Sequence, residues 1–205
     1  MPNLKPVLAT GFFVQEERNV LLECAKGFEK LLDIQYRIVV GRKGNDIAFS
    51  VGFDAVDFHH LAGLHKLKDV RVSRAERETV FKKILDSEIS DFDITQSCHF
   101  SEIEKRLQFL CHLETILDSN RFVFRYAHKP SQFSVIQAEF LLSTPYNSEE
   151  IYIFLDKKEH AENYFCRSFF PKADKDYTIG QVKYTLLRKE KTTLSTGESV
   201  VQYAR

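Results

Sequence analysis

Three histidines and two lysines lie close together in the segment from Asp54 to Val70. An imidazole titrates near neutral pH, so it can accept or donate a proton in a reaction. Apolar residues recur at helical spacing here, and His60 shares their face of the predicted helix, whereas His59 does not. We expect His60 to point inward, either as a catalytic group or as a core histidine bonded to a backbone carbonyl. Lys66 is expected at a solvated helix end, with a role in substrate binding as the alternative.

Two arginines, Arg125 and Arg167, fall inside predicted strands. A strand arginine is usually a cross-strand charge partner, but its guanidinium can also donate two parallel hydrogen bonds to a phosphate. Ser168 follows Arg167, so the two side chains should face opposite sides of the sheet unless a bulge intervenes. Thr178 and Gln181 lead into the last strand, where they could bind a ligand or close a turn.

The sequence lacks the spacings that mark common metal and nucleotide sites. His59 and His60 are adjacent and His60 and His65 are five positions apart, so neither pair matches H-x-x-x-H on one helix face. Two Cys-His dipeptides have no second pair at zinc-ligand spacing. There is no P-loop, G-x-G-x-x-G or G-x-S-x-G motif. We therefore expect neither a metal nor a cofactor.

The composition predicts a folded chain with no dominant charge. Of its 205 residues, 29 are Lys or Arg and 29 are Asp or Glu, so nucleic-acid binding through bulk charge is disfavoured, although a local basic cleft is still allowed. No signal peptide and no run of about 18 apolar residues is present, which predicts a cytoplasmic protein with no membrane partner. The four cysteines are scattered and are read as reduced thiols.

The first 120 residues are predicted to be mainly helical. A helix is expected over residues 15–34, followed by a β-hairpin whose strands cover residues 35–40 and 47–53. Ser73 and Ser101 each begin a capping-box pattern, which predicts helices that run to about Leu85 and to about Asp118.

Residues 121–205 are predicted to form an antiparallel sheet. Five alternating runs are separated by turn residues, and a last strand or hairpin is possible in the tail. The runs cover residues 121–126, 135–142, 151–155, 164–170 and 181–187. We predict one α+β domain, in which N-terminal helices and a hairpin pack on a C-terminal antiparallel meander of four to five strands.

Three short motifs give the chain a resemblance to a known group. They are Phe58-His-His-Leu-Ala-Gly-Leu64, Phe165-Cys-Arg-Ser-Phe-Phe170 and Asp176-Tyr-Thr-Ile-Gly-Gln181. With them the chain, from about Val40 to Lys191, resembles the phage-type nuclease domains of the Barnase–EndoU–Colicin–RelE superfamily. The resemblance implies helices packed on an antiparallel sheet, metal-independent RNA cleavage, and a role in phage or bacterial conflict. It also implies that the site includes His60, Arg167, Ser168, Thr178 and Gln181.

Such a site would cleave RNA through attack of a ribose 2′-OH on the adjacent phosphorus, by general acid–base catalysis and electrostatic stabilisation. We expect His60 to act as base or acid and Arg167 as the phosphate clamp, with Arg125 as a second cation. Ser168, Thr178 and Gln181 would orient the substrate. The expected partner is RNA, with an inhibitory protein as a further one, and the oligomeric state is open. The alternatives are a non-catalytic protein-binding module in phage defence or counter-defence and a subunit of a larger assembly.

Overall fold

The computed structural model describes residues 19–127, 136–158 and 162–205. These residues form six α-helices and eight strands. The helices are α1 (Val20–Leu31), α2 (Ala55–Leu61), α3 (Arg77–Leu85), α4 (Asp91–Thr95), α5 (Ser101–Leu110) and α6 (Leu113–Ser119). Two single 3-10 turns, Leu64–Lys66 and Arg71–Ser73, connect α2 to α3. None of the described helices is both long and apolar enough to cross a membrane.

Helix α1 confirms the predicted N-terminal helix over a shorter range. Its first turn is held by two caps, because Asn19 accepts a hydrogen bond from the Leu22 amide and Asp91 accepts from the amides of Val20 and Leu21. The predicted residues 15–18 lie outside the described part of the chain. Asp91 lies in α4, so one side chain ties the starts of two helices together.

Two later helices begin or end differently from the prediction. Ser73 does not cap α3; Glu76 does, through its carboxylate, which accepts from the amides of Glu78 and Thr79. The long helix expected from Ser101 to Asp118 is interrupted at Cys111 and His112, between α5 and α6. The sequence pattern missed the break because an apolar stripe can continue across an interruption in the hydrogen bonding of a helix. Ser73 does not cap α3 because it belongs to the preceding 3-10 turn, Arg71–Ser73.

The eight strands belong to one sheet. They are β1 (Ile34–Arg42), β2 (Asn45–Val51), β3 (Phe122–Arg125), β4 (Phe140–Tyr146), β5 (Glu149–Lys157), β6 (Tyr164–Pro171), β7 (Val182–Thr193) and β8 (Ser199–Ala204). The pairing of β1 with β2 confirms the predicted hairpin, and β8 confirms the last strand in the tail. Strands β3 to β6 pair antiparallel in sequence, as a meander does.

The architecture nevertheless differs from the predicted meander. The hydrogen-bonded order is β1-β2-β6-β5-β4-β3-β7-β8, and β1 also pairs with β7, which closes seven strands into a barrel with β8 as an extra strand. Strands β2 and β6 are parallel, so the barrel is mixed. The prediction of an antiparallel meander of four to five strands, with a separate hairpin packed on it, is therefore wrong. Closure is favoured because it pairs sheet edges that would otherwise be open.

One lysine inside the structure links the helices to the barrel. Lys189 of β7 is 1% exposed, and its ammonium group donates hydrogen bonds to the carbonyls of Leu117, Asp118 and Asn120 at 2.6, 2.6 and 3.1 Å. These carbonyls belong to the C-terminal end of α6, where few backbone partners are available, and they also accept from the Asn120 amide and from Arg121 Nη1. Burial and the charge of Arg121 lower the pKa of Lys189 to about 7, and its charged form also complements the negative end of the α6 dipole.

Candidate functional site

His60 lies at the end of α2, and its orientation differs from the prediction. His59, not His60, is the inward histidine: His59 is 2% exposed and its Nε2 lies 2.9 Å from the Val72 carbonyl oxygen. The helical phase was misjudged because α2 ends at Leu61 instead of continuing through the segment predicted to be one helix. Gly63 follows in a left-handed conformation with φ of 80°, which turns the chain away from the helix axis. His60 is thereby left half-buried and open to a surface hollow.

The turn at Gly63 stacks His60 on His65. Their ring centroids are 4.4 Å apart and the ring planes differ by 9°. Burial lowers the pKa of His60 below its usual range, and the neighbouring guanidinium groups of Arg106, Arg77 and Arg167 lower it further. Burial and His60 itself lower the pKa of His65 to about 4. Both rings are therefore neutral at physiological pH.

The hollow beside His60 has a volume of about 210 Å³. It is lined by side chains from α2, the start of α3 and β6: Asp57, His60, Arg77, Phe165, Cys166 and Arg167. The structure thus brings together His60 and Arg167, the residues predicted to transfer a proton and to hold the phosphate. An adjoining hollow of about 220 Å³ shares Asp57 and Phe165 with it.

Asp57 is a titratable group that the sequence patterns did not single out. Its carboxylate lines both hollows, lies 3.6 Å from the ammonium of Lys158, and has its pKa raised by burial. It lies one turn before His60 on α2. Among the residues lining the hollow it is the one carboxylate, beside two exposed guanidinium groups, so the hollow favours an anion.

A β-bulge gives Arg167 its place in the hollow. Leu155 of β5 pairs with Cys166 and Phe154 pairs with Ser168, so Arg167 is the extra residue in β6. The guanidinium is exposed and lies 6.0 Å from the Phe165 ring centroid. Ser168 pairs with Phe154, which belongs to an aromatic cluster, and is not part of the lining of the hollow.

Arg106 of α5 is a second residue that the sequence patterns did not single out. Its side chain is 9% exposed, its Nη1 donates to the His60 carbonyl at 3.4 Å, and its guanidinium carbon lies 5.9 Å from the Phe170 ring centroid. Its buried Nε has no hydrogen-bond partner in the described part of the chain. Arginine is seldom buried, so nothing in the sequence marked this position.

Lys66, a predicted substrate-binding residue, lies near Arg106. Burial lowers the pKa of the Lys66 ammonium, and the charge of Arg106 lowers it further. The ammonium of Lys66 is also 3.9 Å from the carboxylate of Glu102. Lys66 therefore adds to the positive charge on this side of the molecule, with part of that charge compensated by Glu102.

Two further predicted site residues, Arg125 and Thr178, bond to protein groups elsewhere. Arg125 forms an ion pair with Glu139 and lies 5.2 Å from the Phe140 ring centroid. The hydroxyl of Thr178 donates to Asp176 at 2.6 Å. Neither residue lines the hollow beside His60.

The side chain of Gln181 forms two hydrogen bonds with the main chain of Ala127. Its side-chain amide accepts from the Ala127 amide at 2.8 Å and donates to the Ala127 carbonyl at 3.1 Å. The same Asp176 that binds Thr178 also accepts from the hydroxyl of Tyr152 at 3.1 Å and from Lys172 at 2.6 Å. Thr178 and Gln181 thus have structural partners at the entry to β7.

One group of side chains in the described ranges has the composition of a metal site. Possible ligand atoms of Asp69, Cys98 and His99 lie within 4.8 Å of one another. The Asp69 carboxylate already accepts hydrogen bonds from the Ser97 hydroxyl and from the Cys98 amide, the latter at 2.8 Å. None of these residues lines the hollow beside His60.

Comparison with known proteins supports the expected family. No curated protein and no solved structure matches the chain. A family model described as phage-Barnase-EndoU-ColicinE5/D-RelE like nuclease 4 matches residues 20–205, which includes every described helix and strand. The resemblance drawn from the three short motifs is thereby confirmed. The chain belongs to this phage-type family of nuclease-like domains.

Proposed function

We propose that the protein is a metal-independent endoribonuclease and that the hollow between α2 and β6 is its active site. The observation that carries the proposal is that His60 and Arg167 line one hollow although they are far apart in sequence. A phosphodiester placed there would meet a neutral imidazole and two guanidinium groups, those of Arg167 and Arg77. A predominantly cationic lining suits an anion and repels a divalent cation.

The reaction follows from these groups. The His60 imidazole removes the proton from a ribose 2′-OH, the 2′ oxygen bonds to the adjacent phosphorus, and the bond from phosphorus to the 5′ oxygen breaks. Arg167 and Arg77 stabilise the charge that gathers on the phosphate oxygens in the transition state. Asp57 enters the step in its protonated form, which burial favours by raising its pKa, and donates that proton to the leaving 5′ oxygen, while His60 keeps the proton from the 2′-OH. The products are a 2′,3′-cyclic phosphate and a free 5′-OH.

Four of the predicted residues receive supporting roles in this proposal. Arg125, Thr178 and Gln181 hold the sheet and the loop before β7 through their protein partners. Ser168 resumes the pairing with β5 after the bulge that presents Arg167. The adjoining hollow, whose lining includes Phe53 and Asn163, accommodates the nucleotide next to the cleaved bond.

A cleavage assay tests this function. The purified protein is incubated in chelator with end-labelled RNA and with DNA of the same sequence. We expect cleavage of RNA only, with 2′,3′-cyclic phosphate ends, and a loss of at least about 100-fold in His60→Ala. His112→Ala is the matched control because the His112 side chain is exposed at the break between α5 and α6. Cleavage of DNA, or equal cleavage by His60→Ala, would contradict the proposal.

Expression in a bacterial host separates this function from a binding module without catalysis. A ribonuclease that acts in phage or bacterial conflict should arrest its host, and His60→Ala should relieve the arrest. A binding module should be tolerated in both forms. Co-expression of an inhibitory protein partner should restore growth to cells that express the wild type.

A further inference from the structure

Arg106 is a buried cation whose charge no carboxylate of the described ranges compensates within ion-pair distance. Burying an unpaired charge is costly, so such a residue calls for a reason beyond packing. Its guanidinium lies between the end of α2 and Phe170 of β6, where it contacts the His60 carbonyl and the Phe170 ring. Burial lowers the pKa of this guanidinium to about 10, so it is charged at physiological pH.

The same guanidinium fixes the main chain at the end of α2. The His60 carbonyl accepts from Arg106 at 3.4 Å and from the Gly63 amide at 3.0 Å. Gly63 also lies against α5: a Cβ built there would be 2.8 Å from Ile103 Cγ2 and 3.5 Å from Arg106 Cδ. Arg106 and Gly63 thus set the turn that stacks His60 on His65.

The surroundings of the imidazole are mostly positive or neutral. The titratable and charged groups that face His60 are Asp57 and His59 of α2, His65 of the following turn, Arg77 of α3, Arg106 of α5, and Cys166 and Arg167 of β6. Asp57 is the one carboxylate among them, and Lys158 lies 3.6 Å from it. Two stacked imidazoles next to an uncompensated guanidinium disfavour a proton on either ring.

We propose that Arg106 is a positioning residue: it fixes the main chain at His60 and keeps the stacked imidazoles uncharged, so that His60 begins each turnover as the proton acceptor. The role of His60 as proton acceptor in each turnover rests on the proposed function. This positioning by Arg106 gives a physical reason for the base role that the proposed reaction assigns to His60. Arg106 itself touches no substrate in this scheme and acts through His60.

Histidine titration by NMR tests the proposal without requiring activity. We expect the titration midpoint of His60 to rise in Arg106→Met by about half to one pH unit, a gain in proton affinity of roughly three- to tenfold. Arg106→Lys keeps a charge and should shift the midpoint by less. Arg188→Met is the matched control, because Arg188 is exposed and paired with Glu190 at 2.7 Å.

The pH profile of RNA cleavage provides the second readout. If His60 is the base, the rising limb of kcat/KM moves to higher pH in Arg106→Met, together with the NMR midpoint. Arg106→Gln replaces the methionine variant if that variant does not fold. An unshifted His60 midpoint in a folded variant without the charge overturns the inference. A shifted midpoint in a protein that cleaves no RNA overturns the proposed function alone.

Discussion

The imidazole rings of His60 and His65 lie parallel with their centroids 4.4 Å apart, although five positions separate them in sequence. An uninterrupted helix would place these side chains on different faces. The left-handed turn at Gly63 brings them together, and α5 packs closely against that turn. The geometry of the candidate base therefore depends on a single glycine.

Gly63→Ala tests this dependence. The substitution strains a backbone with φ of +80° and drives a methyl group to 2.8 Å from Ile103 Cγ2. Gly44→Ala is the matched control, since Gly44 has φ of +82° but no atom within 4 Å of the position that a Cβ would occupy. We expect Gly44→Ala to cost about 1 kcal/mol and Gly63→Ala at least about 1 kcal/mol more. Urea denaturation of both variants measures the difference. Equal losses in the free energy of unfolding would show that the Ile103 side chain moves aside at no cost.

Arg167→Ala and Arg125→Ala should separate a phosphate ligand from a structural ion pair. Arg167 is exposed in the hollow, whereas Arg125 is paired with Glu139 away from it. We expect kcat/KM for an RNA oligonucleotide to fall about 100-fold or more in Arg167→Ala and less than about 10-fold in Arg125→Ala. Steady-state kinetics on the two variants gives the comparison. A larger loss in Arg125→Ala would move the site to the surroundings of Arg125.

Lys189→Met should destabilise the fold. The substitution removes a donor shared by the carbonyls of Leu117, Asp118 and Asn120, which keep the Asn120 amide and Arg121 Nη1 as donors, at 3.2, 3.3 and 2.9 Å. We expect a loss of about 1 to 3 kcal/mol in the free energy of unfolding. Lys183→Met on the same strand is the control, because Lys183 is exposed. Similar unfolding midpoints for the two variants would refute a structural role for the Lys189 ammonium.

Stability should fall as the pH is lowered through the range of the buried histidines. The pKa of His65 is about 4 in the folded chain and has an ordinary value of 6.5, so the unfolded chain binds more protons between these values. The contribution of His65 is therefore complete above pH 6.5 and is lost as the pH drops toward 4. His65→Gln should flatten this dependence in urea unfolding at about pH 7.5, 6 and 5. An equally steep pH dependence in His65→Gln would contradict this account.

Local patterns in the sequence predicted most strands, and the family resemblance predicted that His60 and Arg167 lie close together. The hairpin of β1 and β2 and the strands β3, β5, β6 and β7 follow from alternation and turn residues, with β4 displaced toward higher numbers. The resemblance of three short motifs was enough to place His60 and Arg167 together. These features depend on residues that are close in sequence or on a family pattern.

The closed barrel, the inward position of His59 and the roles of Arg106 and Asp57 depend on contacts between distant parts of the chain, which local sequence patterns do not encode. Closure of the barrel needs β1 to pair with β7, and the inward position of His59 follows from where α2 stops. Arg106 was missed because its burial comes from packing of α5 on the α2 turn and β6. Asp57 was missed because a carboxylate near a helix start is ordinarily a solvated or capping group.

The pairing of β1 with β7, which closes the barrel, also determines when the barrel can form during synthesis. Arg37 of β1 lies opposite Glu190 of β7, 153 positions later. A ribosome releases β1 early and must translate most of the chain before its partner strand emerges, and such distant pairings form late. The ring of strands that includes β6, the strand of Arg167, thus stays open until β7 has been synthesised and has paired with β1.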